Sequence, residues 1–246
     1  MKLVLLGTTG YHPNARRQTA CLMLPTAGIV LDAGTGMYRV GARIETRQLD
    51  IFLSHAHLDH VVGLTYLYNV LLERGVESVR VHGEAAKLAA VREHLFAELI
   101  FPAPPLCDFC PLEGPVELAA GGRVDWFPLV HPGGSLGYRL DWPTRSLAYV
   151  TDTTAAPGAD YIERIRGVDL LVHECNFRDA QREWAEKTGH SYTSAVAQVA
   201  REAEVGRLLL VHFDPLDVSD DPVDLDAARQ IFANTTLGAD EDEIEF

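Results

Sequence analysis

Asp50-Ile51-Phe52-Leu53-Ser54-His55-Ala56-His57-Leu58-Asp59-His60-Val61-Val62-Gly63-Leu64 is the stretch on which the reading of this chain turns. It opens as an apolar run with the composition of a buried strand, and directly afterwards three imidazoles and a carboxylate fall within six positions. Crowding so many titratable groups becomes favourable when a cation sits among them. Neutral imidazole and carboxylate are the ligands that divalent zinc and similar ions prefer. In an extended segment the spacing His55-x-His57 puts two imidazoles on one side, and Asp59 and His60 follow where the chain must turn. The stretch therefore offers ligands to two neighbouring ions.

The rest of the chain supplies further candidates at strand ends. Upstream, residues 2–6 read as a strand and Gly7-Thr8-Thr9-Gly10 as a plain turn. Residues 21–23 and 28–31 read as a hairpin around Pro25-Thr26-Ala27, its second strand ending in Asp32-Ala33-Gly34. Downstream, helical spacing is expected over 63–74, a short strand over 79–82 and an amphipathic helix over 84–99. His82 and His94 read as packing or surface residues. Residues 100–115 carry five prolines, the composition of an ordered irregular loop, and Phe101 and Phe109 are expected to line a substrate entrance. Strands resume at 124–130, ending in His131, then at 136–141, and at 147–150, ending in Thr151-Asp152-Thr153. Residues 168–172 run into His173-Glu174, a helix is expected over 193–203, and 208–211 run into His212. Side chains at such strand ends can project into a shared cleft. The halves also echo each other: Gly28–Asp32 followed by Asp50–His55 recurs as Leu147–Asp152 followed by Asp169–His173. That repetition suits an α/β sandwich of two mixed sheets, each covered by helices.

Composition bounds the possibilities. A chain of 246 residues, 47% of them apolar, can bury one substantial core, and a single domain over 1–246 is expected. A formal charge of −14 disfavours gripping nucleic acid by phosphate neutralisation, which needs clustered Lys and Arg. The N-terminal apolar run is too short for a signal peptide and no later segment suits a bilayer, so a cytoplasmic protein without a membrane partner is expected. Cys21, Cys107, Cys110 and Cys175 are too few and too dispersed for a disulfide scaffold and read as reduced thiols. Cys107-x-x-Cys110 has the spacing of half a zinc ribbon, with no second pair after it.

The stretch His55-Ala56-His57-Leu58-Asp59-His60 resembles the His-x-His-x-Asp-His signature of the metallo-β-lactamase superfamily, and His131, Asp152 and His212 follow in the order of that pattern. The resemblance implies a four-layer αβ/βα sandwich holding two divalent metal ions, zinc first, with manganese or iron as alternatives. It implies His55, His57 and His131 on one ion, Asp59, His60 and His212 on the other, and Asp152 bridging both. Two such ions lower the pKa of a bridging water toward neutrality, which points to hydrolysis by attack of the bridging hydroxide. Asp59 is expected to orient that water or take its proton.

Further segments resemble ribonuclease Z: Leu3–Gly10, His173-Glu174-Cys175-Asn176-Phe177, and Gly189-His190-Ser191. This likeness implies that His190 binds the scissile phosphate or protonates the leaving oxygen, with Glu174 as its orienting partner. Zinc β-lactamases place a Cys where this chain has Asp152, which argues against antibiotic hydrolysis. The basic arm that ribonuclease Z enzymes usually carry between the equivalents of His131 and Asp152 is replaced by a short hairpin through Trp142-Pro143-Thr144-Arg145. A phosphodiesterase acting on a small phosphodiester such as a cyclic nucleotide is therefore the leading expectation, with a homodimer admissible. Its rivals are tRNA 3′ processing, lactone or thioester hydrolysis on the same metal core, and a metal-dependent binding module without turnover.

Overall fold

Strands here are short apolar runs interrupted by turn residues, and they pair in chain order. The computed structural model describes residues 1–72, 75–119 and 121–246. The chain divides into two compact units, Met1–Glu113 with Asp240–Glu245, and Gly114–Ala239 with Phe246. Each unit is built on one mixed sheet flanked by helices, the α/β organisation expected from the sequence.

In the first unit the strands are β1 (Lys2–Gly7), β2 (Cys21–Leu24), β3 (Ile29–Leu31), β4 (Gln48–Phe52), β5 (Ser78–Gly83) and β6 (Asp108–Pro111). In the second they are β7 (Val116–Glu117), β8 (Arg123–Leu129), β9 (Ser135–Trp142), β10 (Arg145–Val150), β11 (Leu170–Glu174), β12 (Leu208–Val211) and β13 (Thr235–Leu237). A last strand, β14 (Glu243–Glu245), returns to the first sheet and pairs antiparallel with β1. The sheet orders are β14-β1-β2-β3-β4-β5-β6 and β13-β12-β11-β10-β9-β8-β7.

The echo between the halves has a topological basis. In the first sheet β3 pairs antiparallel with β2 and parallel with β4; in the second, β10 pairs antiparallel with β9 and parallel with β11. Parallel strands need both faces covered, which is why β12 and the first three residues of β11, Leu170–Val172, read as unbroken apolar runs rather than alternating ones. In the first unit Val30, Ile51 and Val81 pack with Met37, Leu64, Leu67 and Leu88 from the covering helices. In the second, Ala148, Leu171, Leu208 and Leu210 pack against Val196, Val199 and Ala200 of the helix Thr193–Glu202. Burying each of these larger aliphatic side chains stabilises the fold by about 1.5–3 kcal/mol.

Three expectations need correction. The helix expected over 63–74 is a 3₁₀ segment, Val62–Tyr66, followed by one α-turn, Leu67–Val70, because the Gly63 N–H donates to the Ala33 carbonyl (2.7 Å) and draws the chain off a regular helical path. Arg74, its expected end, lies outside the described residues. The helix expected over 84–99 is α only over Ala85–Ala90; Val91–Leu95 form a π-turn, and beyond it the Ala97 carbonyl accepts from both Ile100 and Phe101 as the chain reverses. The irregular loop 100–115 contains β6, an edge strand parallel to β5 and ended by Pro111, a position where the missing N–H costs no ladder bond. On that strand Phe109 packs against the core of its unit, and Phe101 lies 5.6 Å from Phe96 and 6.3 Å from Tyr68. The four cysteines are free thiols. The turn after β1 is a plain one: the Thr8 N–H and hydroxyl both donate to Asp240. Among the described residues no helix is long and apolar enough to cross a membrane.

Candidate metal centre

The first unit presents its candidate ligands at the carboxyl end of β4. That strand lies between β3 and β5, both parallel to it, so the residues just beyond Phe52 emerge at the end of the sheet where open α/β folds place their sites. His55 and His60 are buried and His57 is exposed. The His55 ring centroid is 4.4 Å from that of His57 and 4.2 Å from that of His60, and His60 Nε2 is 3.3 Å from Asp59 Oδ2. The four residues singled out from the sequence are thus gathered in one place.

Behind them stands Asp32, which sequence reading left without a role. Its fully buried carboxylate accepts the Ser54 N–H (2.7 Å), the Ser54 hydroxyl (2.8 Å) and His60 Nδ1 (2.8 Å). Since the Ser54 hydroxyl gives its proton to Asp32, its oxygen accepts from His55 Nδ1 at 2.9 Å. Both rings therefore carry their proton on Nδ1 and turn the Nε2 lone pair to the cluster, the tautomer and aim that metal-ligating histidines take. Asp32 itself sits at φ +58°, a left-handed conformation costly to a non-glycine residue, and is held there by its N–H bond to the Phe52 carbonyl (2.9 Å). Asp59 is braced too. The Tyr11 N–H donates to its Oδ2 at 2.7 Å, and Gly34 lies so close that a Cβ there would stand 2.2 Å from the Asp59 carbonyl oxygen.

The second unit brings together His131, Asp152, His190 and His212, each beside the end of a strand or helix. Asp152 is buried and points its Oδ2 at His131 Nε2 (3.5 Å) and its Oδ1 at His212 Nε2 (3.1 Å), one oxygen for each imidazole. The Thr151 hydroxyl donates to Asp152 Oδ1 at 2.8 Å. His131 Nδ1 donates to the Gly189 carbonyl (2.8 Å), which fixes its ring as Asp32 fixes that of His60. Burial lowers the His131 pKa and favours its neutral form, although the nearby Asp152 carboxylate works the other way. His212 follows β12 at φ +60°, a left-handed conformation costly to a non-glycine residue, and the Asn176 amide donates to its carbonyl at 2.9 Å. Asp152, His190 and His212 each offer a ligand atom within 4.8 Å of one another.

Glu174, the last residue of β11, is wholly buried yet well satisfied. It accepts the backbone N–H groups of Thr153 (2.9 Å), Asn176 (3.2 Å) and Ser191 (3.2 Å), and its Oε1 is 3.1 Å from His190 Nδ1. The expected pairing of Glu174 with His190 is present. His173 plays another part. Its Nε2 accepts from the Tyr161 hydroxyl (2.9 Å), its Nδ1 donates to the Glu174 carbonyl (2.7 Å), and burial lowers its pKa, so it is a neutral packing residue. His82 is likewise structural, buried against the Phe52 ring and bonded to Asp50 (2.8 Å).

Each unit's donor set, imidazole nitrogens oriented through Nδ1 together with carboxylate oxygens, fits divalent metal ions. Among the described residues, Cys107 and Cys110 belong to no group able to hold one. Asp32, Ser54, Asn176 and the Gly189 carbonyl are the functional contributors that sequence reading missed. Only Asp32 carried a signal, its place in the repeated strand–Asp pattern that also contains Asp152.

Residues 28–213 match the family described as the beta-lactamase superfamily domain. Among curated relatives, the ribonuclease Z of Archaeoglobus fulgidus is 25% identical, with 97% of this chain and 95% of that protein covered. The alignment runs over 304 positions, more than this chain has residues, so that relative carries segments that this chain lacks. Among solved structures, the metallo-β-lactamase-fold protein YhfI from Bacillus subtilis superposes with a TM-score of 0.81 at 20% identity, covering 99% of both chains. The short form of human tRNase Z superposes with a TM-score of 0.76 at 22% identity, covering 100% of this chain and 99% of that one.

Proposed function

Since the chain belongs to the beta-lactamase superfamily and is a metal-dependent hydrolase of the metallo-β-lactamase fold, we propose that it cleaves a small phosphodiester, of the size of a cyclic nucleotide or related cyclic phosphate. His55, His57 and His131 would hold one divalent ion and Asp59, His60 and His212 a second, with Asp152 shared; zinc is the ion that this donor set suits best. When bound, such ions supply an acidified water and a Lewis acid for the phosphoryl oxygen.

The chain's own groups do the rest. Asp59, braced by the Tyr11 N–H, orients the attacking water or takes its proton. His190 approaches the departing alkoxide and gives it a proton from Nε2, while Nδ1 stays on Glu174. The observation that carries this reading is the Glu174–His190 pair. A buried carboxylate saturated by three backbone N–H groups is fixed in position, and by engaging Nδ1 it holds the His190 ring in one orientation, with Nε2 left to serve the departing oxygen. Carbonyl substrates with good leaving groups have less need of such a donor.

The preference for a compact substrate is supported by β9 and β10, which join directly with Trp142 opposite Arg145, and by the charge of −14. A second reading, tRNA 3′ processing, is favoured by the ribonuclease Z relative. The test is a substrate panel run with and without chelator: chelator-sensitive cleavage of bis(p-nitrophenyl) phosphate and of cyclic nucleotides is expected, accurate trimming of a tRNA precursor at low protein concentration would promote the second reading, and inertness of the metal-replete protein toward every phosphodiester would remove both. Unimpaired cleavage of a lactone by His190→Ala, beside lost phosphodiesterase activity, would identify a carbonyl substrate as a further activity of the same centre.

A further inference from the structure

Asp240 closes the loop that braces Asp59. After β1 the chain leaves the sheet at Thr8 and comes back at Gln18, and both ends of that excursion are bonded to this one carboxylate, 222 positions beyond Gln18. Its Oδ1 accepts the Thr8 N–H (3.1 Å) and hydroxyl (2.8 Å), and its Oδ2 accepts the Gln18 N–H (2.7 Å) and Arg39 Nη1 (2.6 Å). The Asp240 side chain is almost wholly buried, and a guanidinium among its donors makes the bonding strong. Across the same neck the Thr9 N–H donates to the Gln18 carbonyl (3.0 Å).

Between those ends Tyr11 stands at φ +56°, a conformation costly to a side-chain-bearing residue, and its side chain is 81% exposed, so burial does little to offset the strain. The backbone turned in this way donates the Tyr11 N–H to Asp59 Oδ2 (2.7 Å). The return is stiffened by Asn14, whose Oδ1 accepts the Arg16 and Arg17 N–H groups (2.9 Å each), and by Arg17 Nη1 on the Thr8 hydroxyl (2.8 Å). A loop pinned at both ends has fewer conformations to lose, so the strained one that reaches Asp59 is cheaper to hold. We propose that Asp240 is a positioning residue of the candidate metal centre: by clamping Thr8 and Gln18 it keeps the Tyr11 N–H on Asp59 and so fixes that carboxylate for its ion. This rests on the assignment of Asp59 as a ligand made above and extends the centre to a residue distant in the chain.

The test is zinc affinity, which needs no substrate. Zinc is titrated into the metal-free full chain against a chromophoric chelator, well below the melting temperature, for the unaltered protein, Asp59→Ala, Asp240→Asn and Thr8→Ala. Asp59→Ala identifies the ion that this ligand serves. Asp240→Asn is expected to weaken that same ion by about three- to tenfold, less than the loss of a group that touches a ligand directly, and to leave the other ion's affinity unchanged. Thr8→Ala removes one donor of the clamp and should shift the same ion by a smaller factor; it decides by the same criteria if Asp240→Asn does not fold. A staple that only stabilises the chain would lower the melting temperature and move neither affinity. Unchanged affinities in Asp240→Asn, or both ions weakened alike, overturn the clamp and leave Asp59 a ligand. Zinc binding indifferent to Asp59→Ala overturns the ligand assignment, and the clamp with it.

Discussion

Asp32 and Asp152 hold the same topological place in the two sheets: each follows the strand at which antiparallel pairing turns parallel, β3 for one and β10 for the other. Their roles differ. Asp152 faces the Nε2 atoms of His131 and His212, where a metal would lie, while Asp32 engages His60 through Nδ1 and His55 by way of Ser54. In the proposed centre one carboxylate would be a ligand and its counterpart the group that aims ligands.

Asp32→Asn is therefore expected to weaken metal binding by about 10–100-fold without removing a ligand. It should also cost about 2–3 kcal/mol of stability, because the Ser54 and His60 donors lose a buried charged acceptor. Competition against a chromophoric chelator and urea denaturation measure the two effects; unchanged metal affinity would show that Asp32 is only structural.

For Glu174 the expected loss is in turnover. His190→Ala should lower kcat by about 10²–10⁴-fold, and Glu174→Gln, which keeps the shape but not the charge, by a smaller factor, with KM little changed in either. Steady-state kinetics on a phosphodiester decide it, and a Glu174→Gln enzyme of full activity would end the orienting role.

Gly189→Ala should damage both stability and metal binding. Gly189 sits at φ +79°, and a Cβ there would stand 2.3 Å from Pro132 Cδ and 3.1 Å from His131 Nδ1. Left-handed strain and the clash together should cost about 2 kcal/mol and turn the His131 ring. Thermal denaturation with and without added zinc measures the loss, and the stabilisation by zinc should shrink relative to the unaltered protein.

Asp50 governs an acid transition remote from the chemistry. Burial alone would raise its pKa, but bonds from His82 (2.8 Å), Arg80 (2.7 and 2.9 Å) and Gln48 (2.8 Å) outweigh that and hold it well below the ordinary carboxylate range. A carboxylate lowered on folding contributes stability above its unfolded pKa of about 3.9 and loses it as the pH falls toward the folded value. Asp50→Asn should cost about 3 kcal/mol at pH 7, with the difference from the unaltered protein narrowing as the pH drops below about 4. Denaturation from pH 7 to pH 3 tests this; a gap independent of pH would contradict it.

How far the chain could be read before folding depends on the range of each contact. Residues 55–60 cluster because they are adjacent along one loop, so type and spacing sufficed. The later candidate residues were legible as strand ends, since a buried parallel strand must be apolar throughout and stops where a polar residue appears. The missing arm between β9 and β10 was legible as length alone. Helix bounds were not: local propensity over 84–99 favours one helix, and only the reversal after Leu95 ends it.

The chemistry of the site was thus written in one dimension, as imidazoles and carboxylates at the ends of apolar runs. Folding in three dimensions decided which backbone and side-chain groups stand behind them. Asp32 reaches Ser54 and His60 because β3 pairs with β4, and the Gly189 carbonyl reaches His131 across 58 positions of chain. Glu174 collects its N–H groups from three separate segments. The physical reason is that a ligand is marked by its own chemistry, whereas the partner that orients it is marked only by proximity, and proximity between distant residues exists only once the strands have paired.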